Sequence, residues 1–211
     1  MADAKKRGLI IFGSKGTAAE LEDYIPTCLP DHFDFIQKVF IDDDLIVQNG
    51  LDAYLNDPNV SLHYIFGVMD YEWRKKALDQ IAHHTNFKPF TFIHPNAFVA
   101  ETAKIGDGVF VHANVTISTE CVIDDYVLLH MNSSVGHHSH IKTHATLLPG
   151  VRVSGNVSVG ERSIIGSNSV IFQGVRVGKD NRVDSLSYIK SDLPPNQITF
   201  AAMPTTKARK S

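Results

Sequence analysis

Residues 135–144 read VGHHSHIKTH and place four of the chain's eleven histidines, His137, His138, His140 and His144, within ten positions. Imidazole is the side chain whose ordinary pKa, about 6.5, lets it take up and return a proton near neutrality, and it is also a common metal ligand. The stretch therefore reads as a metal site, as a general base with neighbours, or as ordinary surface histidines. Zinc needs three or four ligands converging on one point. His137 and His138 are adjacent, which on an extended chain points their rings apart, and His140 and His144 follow three and seven residues after His137. That spacing disfavours a metal, so no metal is expected. A general base needs only one imidazole beside a groove, and the framework decides whether there is one.

The framework is a six-residue ladder. From Ile93 every sixth residue up to Ile189 is Ile, Leu or Val, seventeen positions in all. Two positions earlier, from Ala103 to Ser187, the residues are small or β-branched, with Asn181 the exception. One position later Gly recurs at 106, 136, 160, 166 and 178. This is the hexapeptide repeat of a parallel β-helix: a short strand contributes one inward aliphatic, the corner admits a small residue, and Gly relieves the backbone there. Three sides make a coil of eighteen residues, and the unbroken length predicts the left-handed form. Val135 and Ile141 set the register. His137 then projects outward beside a corner, with Gly155 one coil on leaving open space for a substrate, which makes it a candidate general base. His94, His112 and His130 fall in one column eighteen apart. The column predicts a solvent-facing, mostly neutral ladder for His94 and His112.

Before residue 91 strands alternate with helical spacing. RGLIIFG, HFDFIQKVFIDDD and SLHYIFGVM read as strands, SKGTAAELEDYI and DYEWRKKALDQIAHH as helices. That order predicts an α/β Rossmann-like unit over residues 1–90, its last strand in FKPFTFIHP leading into a β-helix and tail over 91–211. In FGSKGT the two glycines Gly13 and Gly16 make either a plain tight turn or, with Ser14 and Lys15 at a helix start, a phosphate seat. Asp42, Asp43 and Asp44 end the second strand and either bind ribose hydroxyls or form a solvated loop.

An α/β unit followed by hexapeptide coils resembles the bacterial sugar O-/N-acyltransferases, which include sialic acid O-acetyltransferases and nucleotide 4-amino-sugar N-acetyltransferases. The likeness covers nearly the whole chain and is strongest in LLHMNSSVGHHSHI. It implies that His137 is the catalytic base and that His138 stands where the family carries an acid. It further implies that Thr146, Gly155 and Ser167 line the acetyl-coenzyme A groove. In the first unit it makes Gly13, Ser14, Lys15, Asp42, Asp43 and Gly67 the nucleotide-sugar contacts. The tail ITFAAMPTTKARK is similar to a closing G-x-P-A-K segment, with Ala202 in place of its Gly. The resemblance also implies a homotrimer.

The remaining expectations concern what the chain does not do. A net charge of -3 gives no bulk attraction to nucleic acid or an anionic membrane. Two cysteines, Cys28 and Cys121, form no disulfide framework. The apolar run in MADAKKRGLIIFG is too short for a membrane span, and a soluble cytoplasmic protein is expected. The expected activity is transfer of an acetyl group from acetyl-CoA to a nucleotide-linked amino sugar of the 4-amino-4,6-dideoxy type. The alternative is a metal-binding, carbonic-anhydrase-like protein or a non-catalytic scaffolding trimer.

Overall fold

The structure, a computed structural model, describes residues 5–55 and 57–201. The closing tail segment beyond Ala201, with Ala202, lies outside the described residues. The first part runs β1 (Lys6–Phe12), α1 (Thr17–Cys28), β2 (Phe35–Val39), α2 (Leu45–Gln48), α3 (Asp52–Leu55), β3 (Val60–Phe66), α4 (Tyr71–Ile81) and β4 (Phe87–Pro89). Its four strands form one parallel sheet in the order β2-β1-β3-β4. The short turns of α2 and α3 were not anticipated from the sequence.

Alternation along β1 explains how the sheet is covered on both faces. Ile10 and Phe12 pack with Leu62, Tyr64 and Phe66 of β3 and with Ala77 and Ile81 of α4. Leu9 and Ile11 pack on Ala18, Leu21 and Ile25 of α1. Beyond α1 the same cluster takes in Phe92, Phe110 and Leu128, which belong to the second part of the chain.

From Phe92 to Ile189 the chain makes a two-residue strand every six residues. Residue i pairs in parallel with residue i+18, as Val122 with His140 and His140 with Ser158. The strands stack into three sheets of seven, six and five strands, a triangular parallel coil. Its first face carries Phe92, Phe110, Leu128, Thr146 and Ile164 outward, its second Phe98, Thr116, Ser134 and Arg152, its third Lys104, Val122, His140 and Ser158. The ladder aliphatics from Val111 to Ile189 are buried, and Val99 and Ile105 are partly so. Ile93 departs from the expectation: it is 39% exposed, because the first coil has no coil beneath it.

The corners turn differently from the expectation. The left-handed residue stands three places after the inward aliphatic, at every sixth position from Gly108 to Leu186, and most of these are not glycine. The glycines one place after the aliphatic answer a close approach instead. A Cβ at Gly136 would sit 2.5 Å from the Ser154 carbonyl carbon of the next coil. Asn181, the exception among the small residues, is fully buried; its amide donates to the Gly178 and Pro194 carbonyls while its oxygen accepts from the Gln197 N–H. It pins the closing segment over the last coil.

The first part of the chain covers the first face of the coil. Arg74 of α4 is fully buried and donates to the carbonyls of Val68, Tyr126 and His144 and to the Thr146 hydroxyl, at 2.7, 3.0, 3.4 and 2.9 Å. Burial pushes its guanidinium down to about 9, still protonated at neutral pH. This docking overturns the solvent-facing histidine ladder. His112 and His130 are 2% and 4% exposed, with Tyr24 edge-on to both His94 and His112. Burial pushes His112 down and His130 down to about 4, with the facing imidazoles adding to the loss of solvation, so both rings are neutral at pH 7. Among the described residues no helix is long and apolar enough to cross a membrane.

Candidate active site

The coil positions His137 at the corner between the second and third faces, the vertex opposite the face that the α/β part covers. Its neighbour His138 occupies the left-handed position of that corner, with φ 58°. The turn brings the two rings together, against the expectation that adjacent histidines point apart. His137 Nδ1 lies 3.0 Å from His138 Nδ1, the rings nearly perpendicular. Only one proton fits between two such nitrogens. When His137 holds it, His137 Nε2 is the basic atom, and His138 carries its own proton on Nε2. His137 Nε2 has no hydrogen-bond partner among the described residues, and both rings are exposed.

Gly155 does not leave open space beside the imidazole, as the sequence suggested. The ring itself fills that space: a Cβ on Gly155 would lie 2.5 Å from His137 Nε2 and 2.6 Å from Cε1. Glycine at 155 is therefore the seat of the ring. On the adjoining third face His140 Nε2 is 2.9 Å from Asp124 Oδ2, a histidine–carboxylate pair that the sequence reading did not single out. Further along the same face a cleft of about 480 Å3 is lined by Lys142, Arg176 and Lys179, with Glu161 and Asp192.

A second site lies at the carboxyl ends of β1, β2 and β3. A cleft of about 300 Å3 brings together Gly13, Ser14, Lys15 and Gly67, four residues singled out from sequence, and adds Phe40, Ile41, Val68 and Trp73. Gly13 has φ 135°, open to glycine and strained for other residues, and a Cβ on Gly67 would meet the backbone of Ala18 at 2.4 Å. The two glycines let the strand ends and the start of α1 close up into a loop edged by backbone. Phe40, Ile41 and Trp73 escaped the sequence reading. The rule that parallel sheets bind ligands beyond the carboxyl ends of their strands points to them.

The other residues singled out from sequence are elsewhere. Asp43 is bound to Lys76 at 2.7 Å, which holds its carboxyl below the usual range, and Asp42 accepts from the Asp44 N–H in the turn before α2. Neither lines the cleft. Thr146 is fully buried on the covered first face with its hydroxyl engaged by Arg74, so its hydroxyl is closed to a coenzyme. Ser167 is half-buried at the corner between the first and second faces, a different vertex from His137. Among the described residues of one chain no three His, Cys, Asp or Glu side chains are grouped as metal ligands would be.

No protein-family model and no curated protein sequence matches the chain. Solved structures do. The acetyltransferase domain of PglB from Neisseria gonorrhoeae is 25% identical over 92% of this chain and 96% of that one, with a TM-score of 0.76. PerB from Caulobacter crescentus, solved in complex with CoA and GDP-perosamine, is 25% identical over 90% and 92%, with a TM-score of 0.79. WeeI from Acinetobacter baumannii, at 16% identity over 93% and 97% and a TM-score of 0.64, shares the fold.

Proposed function

We propose that this chain, an acyltransferase built like the hexapeptide-repeat sugar acyltransferases, moves an acetyl group from acetyl-CoA to the amine of a nucleotide-linked 4-amino-4,6-dideoxy sugar. The observation that carries the reading is the His137 imidazole, held at Nδ1 by His138 and seated over Gly155 with Nε2 unpaired. The amine nitrogen attacks the thioester carbonyl while Nε2 takes its proton. The tetrahedral intermediate collapses by expelling the coenzyme thiolate, which recovers that proton from the imidazolium. A positioned base contributes roughly 10²–10⁴-fold to such a step. The developing oxyanion needs an N–H donor. That of Gly155, which donates to no acceptor among the described residues, lies one coil from the base and suits the part. PerB with CoA and GDP-perosamine, and the PglB domain, which has also been solved with acetyl coenzyme A, support donor and acceptor classes of this kind. We assign the reaction to the cytoplasm.

The nucleotide-sugar would enter the cleft at Gly13, Ser14, Lys15 and Gly67. That cleft belongs to the part covering the first face, and His137 stands at the opposite vertex, so one chain does not bring cleft and base together. A second copy must supply one of them, which fits a homotrimer with three sites between subunits. The test is release of free coenzyme A thiol from acetyl-CoA across a panel of nucleotide 4-amino sugars. His137→Ala should lower kcat by roughly 10²–10⁴-fold with the KM for acetyl-CoA nearly unchanged. Full turnover in that variant would remove His137 from the chemistry.

A further inference from the structure

Two imidazoles in contact leave open a choice that a histidine–carboxylate pair settles by itself. A carboxylate beside His137 could only accept, which would fix a proton on Nδ1, whereas an imidazole can accept or donate. The 3.0 Å between His137 Nδ1 and His138 Nδ1 therefore serves two neutral arrangements. In one the shared proton sits on His137, whose Nε2 is bare, and His138 carries a proton on Nε2. In the other it sits on His138, and His137 Nε2 bears a proton and has no lone pair with which to take one from an amine. Each arrangement contains one Nδ1–H ring and one Nε2–H ring, so the intrinsic preference of imidazole cancels between them.

What touches the two Nε2 atoms then decides. Within one chain nothing does: both rings are exposed, and neither Nε2 has a hydrogen-bond partner among the described residues. His137 Nε2 looks onto Gly155, which has no side chain to give or take a proton. The left-handed turn at His138, φ 58°, sets the rings nearly perpendicular with their centres 5.2 Å apart. At that separation an attacking amine and the oxygen of the carbonyl it attacks can each hydrogen-bond to a different Nε2.

We propose that His138 does more than orient His137: its Nε2–H donates to the thioester carbonyl oxygen of acetyl-CoA, beside the Gly155 N–H. This deepens the acetyl-transfer reading and rests on it. The carbonyl oxygen has lone pairs and no proton, so it accepts from His138 Nε2–H and repels a bare Nε2. Bound acetyl-CoA thus holds the shared proton on His137 Nδ1 and leaves His137 Nε2 bare before the amine arrives. As the C–N bond forms, the amine proton passes to His137 Nε2 and the carbonyl π electrons move onto oxygen. His138 keeps its proton throughout, and its bond to that oxygen strengthens as the charge develops. The carbonyl re-forms as the C–S bond breaks, and the thiolate takes the proton from His137 Nε2. The acid that the resemblance puts at position 138 has no proton to give at neutral pH, so the histidine adds a donor.

The test compares acetyl-CoA with S-ethyl-CoA, in which a methylene replaces the carbonyl. In protein carrying isotope-labelled histidine at pH 8, where imidazole is ordinarily neutral, NMR reads which ring nitrogens are bare. Acetyl-CoA should shift the pair towards a bare His137 Nε2 by about 2- to 13-fold, the worth of one neutral hydrogen bond, and S-ethyl-CoA should leave the ratio of the free enzyme. His138→Asp gives a second readout. Aspartate tolerates the left-handed backbone and still accepts from His137 Nδ1, but has no proton to donate. By calorimetry it should lower the preference for acetyl-CoA over S-ethyl-CoA by the same factor of about 2 to 13. A residue that only orients His137 would leave that preference at the parental value. If acetyl-CoA leaves the ratio unmoved, or His138→Asp keeps the parental preference, the donor role is refuted while the acetyl-transfer reading stands. If the parent binds neither compound, both fall.

Discussion

Replacing Gly155 by alanine tests the base without touching it. A Cβ there would lie 2.5 Å from His137 Nε2, 2.6 Å from Cε1 and 3.0 Å from Cδ2. Ordinary contact is roughly 3.5 Å, so the far edge of the imidazole must swing by about 1 Å. The atoms in the way are the end of a two-torsion side chain, and Gly155 is not among the positive-φ residues, so the backbone accepts alanine. Stability should therefore hold or rise, by about 0.4–1 kcal/mol through the unfolded chain. Turnover should not hold. A misplacement of about 1 Å in a reacting group can cost about 10²-fold, or roughly 2.7 kcal/mol of transition-state stabilisation. The swing also pulls His137 Nδ1 away from His138. The assay pairs thiol-release kinetics with a thermal melt: kcat down about 10²-fold, melting temperature equal or higher. A variant with parental kcat, beside an inactive His137→Ala, would show that the ring does not work from this position. A melting temperature several degrees lower would show that the clash is borne by the coil and not by the ring.

Three other outcomes are expected. Ile141→Asp places an unpaired carboxylate at a fully buried position between coils and should cost several kcal/mol in denaturant melts; a parental midpoint would refute the register. His138→Ala should reduce kcat/KM less than His137→Ala does, and His138→Glu, by setting a carboxylate beside the base, should move the acid limb of the pH–rate profile to higher pH; an inactive His138→Ala beside a working His137→Ala would shift the base by one residue. Stability should fall on acidification, because burial holds His130 and His144 down to about 4 in the folded state against about 6.5 unfolded. The unfolded chain then binds more protons, and stability present above about pH 6.5 is lost as pH falls towards 4, by up to about 1.4 kcal/mol per unit for each ring. Urea midpoints at pH 7 and 5 measure this, and a His130→Asn variant with an undiminished slope would refute its share.

The coil was legible because its rule is periodic and local: an aliphatic every sixth residue leaves no other way to bury Val111 through Ile189 together. The period placed His137 at an outward corner and paired it with Gly155. It did not reveal what lay above that glycine, since the direction of the imidazole depends on the left-handed turn at His138, a residue with no Gly or Asn to announce it. His112 was misjudged for another reason. Its column sits at the edge of the face on which the α/β part docks, and nothing in a six-residue period says which face that is. Arg74 shows the same limit: amid charged neighbours in YEWRKK it resembles a solvated residue, yet contacts with Tyr126 and Thr146 make it the buried link between the two parts. In the strand-end cleft, glycines and a lysine gave the loop away, whereas Phe40 and Trp73 sit in unremarkable strand and helix contexts and converge only in three dimensions.

An uninterrupted coil gives the chain a phase, and the phase constrains what evolution or an engineer can insert. Between His137 and Gly155 the count is eighteen, one full turn, and the histidine lies over the glycine only because nothing has been added or removed there. One extra residue in that interval would advance every later position by a sixth of a side, exchanging inward aliphatics for their polar neighbours and carrying Gly155 out from under the ring. Eighteen extra residues placed after Ile171 would instead lengthen the prism by one layer and leave the histidine pair and the Arg74 contacts with the first face as they are. Length is thus free to vary only in whole turns, and only towards the end that Asn181 closes.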